Sequence, residues 1–143
     1  MLRLVVDSNV LIAELLRKRG RDLIAIPKLE IYLAQKVRSE TEYELGQRMS
    51  RIVAQGKISN AAGEEQLQAA MQLVEKLRFV PQAFYQRWEV EARRRIPRDP
   101  NDWEIVALAL ALPAAIWTED YNFFGCGCPT WTTETLLIQL RRK

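Results

Sequence analysis

The chain contains no histidine and only two cysteines, Cys126 and Cys128, which a single glycine separates. A structural zinc needs four ligands, so two thiols without histidine fall short unless a dimer shares the ion. A disulfide between neighbours this close would be a strained small ring. The pair therefore reads as two free thiols on a tight Gly-Cys-Gly-Cys loop. Long apolar runs are missing too. No stretch approaches the ~20 apolar residues that span a bilayer. The chain opens on a strand-like run, not on a charged region followed by a signal-peptide core. The expectation is a cytoplasmic protein without a membrane partner. Repeats, low-complexity tracts and linker-like stretches are absent as well, which points to one domain over residues 1–143.

The composition is that of an ordinary soluble globular protein: 143 residues, 48% hydrophobic and 27% charged, with a net charge of +3. A mildly basic surface permits a nucleic-acid partner without demanding one. The basic residues cluster at Arg17-Lys18-Arg19 with Arg21, at Arg93-Arg94-Arg95 with Arg98, and at Arg141-Arg142-Lys143.

The stretch Arg3 to Ile12 organises the rest. Leu4 to Val6 read as a buried strand that stops on Asp7. Ser8 or Asn9 can cap the helix that follows, whose apolar stripe is Leu11, Ile12, Leu15 and Leu16. Asp7 taken alone is a turn or cap residue. Gly20 breaks the pattern, and Asp22 to Pro27 is ambiguous. Leu29 to Leu33 alternates as a second strand. A helix from Gln35 to Ala54 carries Val37, Thr41, Leu45 and Ile52 on one face, with Glu40 and Glu44 one turn apart on its border. Glu44 and Arg48 are spaced to pair.

Ser59 or Asn60 caps a further helix running to about Leu77, which Phe79-Val80-Pro81 ends. Another helix spans about Gln82 to Arg95, with Phe84, Trp88 and Ala92 apolar. Pro100 suits a first helical position, making Asp99 the cap and Asp102 a first-turn acid of a buried helix. Ala114 to Trp117 reads as a third strand, with Thr118-Glu119-Asp120 at its carboxyl end. A short strand, Pro129 to Trp131, leads into a last helix. Tyr121, Phe123, Phe124 and the four tryptophans read as core or loop packing rather than as stacking platforms for bases.

Strands alternating with helices indicate a three-layer α/β/α domain with a central parallel sheet. Asp7 and Asp120 then share one edge of that sheet. Asp99 and Asp102 can start their helix at the same edge, and Glu40 can reach it. Acids converging without a histidine or cysteine partner repel unless a cation lies between them. Oxygen-only ligands favour magnesium or manganese, which can activate water against a phosphodiester.

On these residues the chain resembles the PIN domain family, the nuclease fold shared by VapC-type toxins of bacterial toxin–antitoxin pairs. Val5-Val6-Asp7-Ser8-Asn9-Val10-Leu11-Ile12 is similar to the family's opening, whose aspartate binds metal. Ile31-Tyr32-Leu33 followed by Glu40, Asp99-Pro100-Asn101-Asp102 with Ile105, Ala107 and Ala109, and Ile116 to Asp120 with Phe123 or Phe124 match its later segments. The resemblance implies a Mg2+- or Mn2+-dependent endoribonuclease with Asp7, Glu40, Asp102 and Asp120 catalytic. It implies Asp7, Asp99, Asp102, Asp120 and Glu44 as candidate metal ligands. Glu44 can take Glu40's place, and Asp99 or Asp102 can be the ligand, with Asp102 favoured. Ser8, Asn9 and Thr118 are supporting residues, and Arg93, Arg94, Arg95 and Arg98 are candidate RNA contacts. The resemblance also implies RNA as substrate, frequent homodimers and, in toxins, an antitoxin that blocks the site.

A non-catalytic PIN-type module binding RNA or protein is the alternative, against which stands the filling of all four acidic positions. An aspartyl-nucleophile phosphatase needs Asp-x-Asp at its first strand end, where this chain has Asn9.

Overall fold

The first strand, β1 (Leu2–Val6), turns Leu4 and Val6 to one face and Val5 to the other, and all three are buried. A strand apolar on both faces needs helices on both, the usual setting of a parallel sheet. The computed structural model describes residues 1–141, and Arg142 and Lys143 of the basic tail lie outside the described residues.

After β1 come α1 (Ser8–Leu15), α2 (Lys18–Ile24) and β2 (Leu29–Ala34). Part of the ambiguous stretch is thus helical, and Gly20 lies inside α2 without breaking it. A side chain at Gly20 would put its Cβ 2.0 Å from the Glu14 carbonyl oxygen, so glycine lets α2 fold back tightly on α1. A 3-10 turn at 35–37 leads into α3 (Arg38–Ala54), followed by α4 (Asn60–Lys76), which Ser59 caps through the amide of Ala62.

Phe79 and Val80, expected only to end that helix, form β3 (Arg78–Val80) against Tyr32–Ala34. Pro81, which cannot donate to a ladder, follows it. The single helix expected over Gln82 to Arg95 is broken into α5 (Gln82–Tyr85), a 3-10 turn at 86–88 and α6 (Glu89–Arg95). Its inward residue is Tyr85, fully buried, while Phe84 is exposed. Tyr85 wins that place because its hydroxyl finds an acceptor, donating to Glu104 Oε2 at 2.5 Å. The remaining elements are α7 (Trp103–Ala111), β4 (Ala115–Trp117), β5 (Thr130–Trp131) and α8 (Thr133–Arg141).

The strands lie in the order β3-β2-β1-β4-β5, all parallel. Residues of α1 to α4 and α8 pack with Leu4, Val6 and Trp117 on one face. Residues of α5 to α7 pack with Val5 and Ile116 on the other. This is a three-layer α/β/α fold. Chain progression runs outward from β1 through β2 to β3, then resumes on its opposite side at β4. The carboxyl ends of β1 and β4 therefore border the point where strand order reverses, the place where open α/β sheets bind ligands. Among the described residues no helix is long and apolar enough to cross a membrane.

Candidate active site

Asp7 is the first residue past β1. Its backbone amide extends the β1–β4 ladder by donating to Trp117 O at 2.9 Å. Its side chain, not that of Ser8 or Asn9, caps α1: Oδ1 accepts the Asn9 amide at 3.0 Å. The structural and the chemical readings of Asp7 coexist, because a carboxylate has two oxygens. The second, Oδ2, accepts the Thr118 hydroxyl at 3.0 Å.

Thr118 is fully buried and follows β4 directly. Its Oγ1 donates to Asp7 and accepts the Asp120 backbone amide at 3.0 Å. One hydroxyl thus ties together the two acids that the parallel register Val6–Trp117 brings side by side. Asp120 Oδ1 in turn accepts the Asn122 amide at 2.9 Å, which shapes the 3-10 turn Tyr121–Phe123.

Asp99 and Asp102 arrive from the other side of the sheet. Asp99 takes the cap position, Pro100 the first helical position and Asp102 the first turn, as the sequence suggests, but neither acid's side chain makes a capping hydrogen bond. The segment Pro100–Asp102 is a 3-10 turn closed by backbone, with Asp102 N–H donating to Asp99 O at 3.2 Å. Their carboxylates are left over. Burial pushes Asp102 up to about 6; the adjoining Asp99 carboxylate adds to this through a shared hydrogen bond and its charge, and Asp7 and Asp120 contribute further. Acids from three chain segments therefore act on Asp102. Among the described residues none of the four makes an ion pair, and no three of them close to metal-chelating spacing.

The glutamates lie apart from this group. Glu40 is exposed, and Glu44 is half-buried with a carboxylate oxygen 3.6 Å from Arg48 Nε. Both line a small cleft of about 90 Å³ with Ser8 and Asn9. They approach the edge from the α1 side, and neither is among the groups that perturb Asp102. As a donor set the acids are all oxygens, the kind that hard divalent ions such as magnesium accept and that zinc in nitrogen and sulfur sites does not require. In kind, these residues fit such an ion. Cys126 and Cys128 are free thiols, Cys126 buried.

The arginines proposed as RNA contacts are mostly engaged. Arg93 bonds Glu89 at 2.9 Å, donates to Pro100 O at 3.1 Å and lies over the Trp103 ring. Arg94 and Arg95 share Glu91, and Arg95 also donates to Cys126 O. Arg98 is exposed and makes no ion pair among the described residues.

Glu104 went unnoticed in the sequence. Lys36 Nζ stands 2.5 Å from its Oε1 while Tyr85 bonds its Oε2. Burial, with the Glu104 hydrogen bond and charge, raises the Tyr85 hydroxyl well above the usual phenol range. Its signal was present: Glu104 is the one charged residue in an otherwise apolar helix. The structure divides Tyr121, Phe123 and Phe124, which the sequence groups as core or loop packing. Only Phe123 packs inward, and its two aromatic neighbours are exposed.

A family model described as PIN domain matches residues 5–141 of the chain. No curated protein matches it.

Proposed function

The chain belongs to the PIN domain family, a fold of nuclease type, and from that premise we propose that it is a metal-dependent endoribonuclease hydrolysing RNA phosphodiester bonds. The observation that supports the reading is that Asp7, Asp99 and Asp120 all bear on the half-buried Asp102 near the strand-order reversal, with no described cation to neutralise them. An uncompensated, partly buried group of like charges is unfavourable for folding and is a mark of a functional site.

In this proposal Asp7, Asp102 and Asp120 are ligands of Mg2+ or Mn2+ and act in catalysis. Asp99 backs Asp102, and Glu40 or Glu44 completes the set from the α1 side. A bound divalent ion would supply Lewis acidity at the phosphate and a nucleophile from water. The chain's own residues do the positioning. Thr118 holds the Asp7 and Asp120 segments together, the Asn9 and Asn122 amides orient their carboxylates, and the backbone-closed turn at 100–102 presents Asp102 without using its side chain. Ser8 and Asn9 line the approach to the glutamates. Arg98, and Arg94 at the outer surface of α6, meet substrate phosphates.

The whole chain acts as one nuclease domain in this reading. A narrower proposal makes it the toxin of a toxin–antitoxin pair, a homodimer silenced by its antitoxin. The occurrence of this domain in VapC-type toxins motivates it, the long middle helices α3 and α4 depart from the most compact of those toxins, and a small DNA-binding protein encoded upstream would favour it. The test of the central proposal is incubation of single-stranded and structured RNA with Mg2+ or Mn2+, with and without excess chelator. Cleavage that stops on chelation is expected. Cleavage that persists in chelator overturns the metal mechanism, and RNA bound but left intact in every condition supports the non-catalytic alternative.

A further inference from the structure

Two aromatic rings stand exposed beside the aspartates. The turn Tyr121–Phe123 follows Asp120 directly and is held at both ends. Asn122 N–H donates to Asp120 Oδ1 at 2.9 Å, and Phe123 is sunk into the core at 1% exposure. With Phe123 drawn inward, Tyr121 and Phe124 are left outside, 79% and 41% exposed. Their ring centroids are 5.6 Å apart and their planes tilt by 38°. Gly125, at a φ of +89°, then turns the chain away.

Single exposed apolar side chains are ordinary, but two large rings touching one another in solvent leave apolar surface unburied. Tyr43 and Phe84 are exposed as well, but among the described residues neither is paired with another ring. Arginine guanidinium groups lie over Phe79, Tyr32, Trp88 and Trp103. Among the described residues no guanidinium covers the Tyr121–Phe124 pair. It is an uncovered aromatic platform one residue from a carboxylate of the acidic group.

We propose that Tyr121 and Phe124 form a nucleobase-binding subsite, on which an unpaired RNA base stacks while the neighbouring phosphodiester lies at Asp120. The proposal rests on the ribonuclease reading for its choice of ligand. Stacking suits this position because it recruits a nucleotide without placing a cation next to the acids, where the cation would pair with them instead. Aromatic platforms accept any base face, so the subsite selects unpaired strands over duplex and discriminates little among bases.

The experiment uses a short single-stranded oligoribonucleotide carrying one 2-aminopurine, mixed with the protein in excess chelator at low salt so that it stays intact. The parent is expected to bind it and quench its fluorescence. Tyr121→Ala combined with Phe124→Ala is expected to lower affinity on the order of tenfold or more and to remove the quench. Tyr121→Trp is expected to retain both, and the oligonucleotide annealed to its complement is expected to bind parent and variant alike. A double variant that binds and quenches like the parent overturns the subsite, as does a parent that does not bind the single strand. If the double variant fails to fold, Tyr121→Ala alone carries the same test, since that side chain is mostly in solvent. Adding Mg2+ to the parent mixture separates the two ideas: RNA that stays intact while the quench persists fails the ribonuclease reading and leaves the stacking subsite standing.

Discussion

The molecule handles charge in two ways. Along α6, Glu89 takes Arg93, and Glu91 takes both Arg94 and Arg95. Two of these arginines also brace the backbone, at Pro100 O and Cys126 O. At the sheet edge, Asp7 and Asp120 accept hydrogen bonds and Asp99 adjoins Asp102, but none of the four has a described basic partner. The first region is charge used as scaffold: opposite signs at helical spacing, neutralised locally and worth little individually. The second is charge left uncompensated, which folding alone gives no reason to keep. On the proposed function, the contrast separates residues that build the molecule from residues kept for a ligand.

The strongest way to break the contrast is at its most perturbed member. Asp102→Asn should lower RNA cleavage by orders of magnitude while raising the melting temperature of the metal-free protein, because it removes a charge that burial and three neighbouring acids oppose. Parallel cleavage and melting assays check both halves, and a variant both inactive and less stable would make Asp102 a scaffold residue. The next effect is at the bridge. Thr118→Val keeps shape but strands the Asp120 amide and releases Asp7, so stability should fall by about 1–3 kcal/mol, measured by urea titration. Cleavage should fall with it.

The third effect is a pH slope. Asp102 stands above its ordinary carboxylate value of 3.8, at about 6 in the folded chain. Between those values the folded state holds the proton more often than the unfolded chain does, so metal-free stability should decline as pH rises from about 4 through 6. Asp102→Asn should flatten that decline in denaturant titrations across the window. The smallest effect sharpens the comparison from the basic side. Arg98→Glu should weaken RNA binding with no change in melting temperature and reduce the slope of log affinity against log salt by about 1. Arg93→Glu should disturb the turn at 100–102 as well, because Arg93 holds Pro100 O. An Arg98 variant that binds as the parent does would make this arginine a solvated surface group.

Much of the layout was legible from local chemistry. The run Leu4 to Val6 ending on Asp7, and Ile116-Trp117 ending on Thr118, show strand ends by their apolar content alone. The alternation of strands and helices then implies that the two ends are neighbours. β3 escaped notice because a three-residue edge strand after a long helix carries no period of its own, and its pairing with β2 is a tertiary fact. The capping roles were assigned by residue preference at Asp99 and at Ser8 or Asn9. The backbone-closed turn at 100–102 overrode the first, and Asp7, one residue earlier, took the second. The bridging role of Thr118 needs the β1–β4 register, which no local pattern contains. The exposure of Tyr121 and Phe124 depends on Phe123 winning the inward place, a choice among three adjacent aromatics that composition cannot make.

The central claim is that the aspartates are kept apart from basic partners in order to hold a divalent cation, and melting curves of the parent and of Asp7→Asn, each with and without Mg2+, test it most directly. Asparagine still caps α1 through its one oxygen, and its amide nitrogen then faces Thr118, whose hydroxyl can accept there in place of donating, so most of the scaffold role survives the change. The account predicts that Mg2+ raises the parent's melting temperature by mass action, and that Asp7→Asn loses most of that rise while melting at or above the parent without metal. An equal Mg2+ shift in both proteins, or none in the parent, would contradict it.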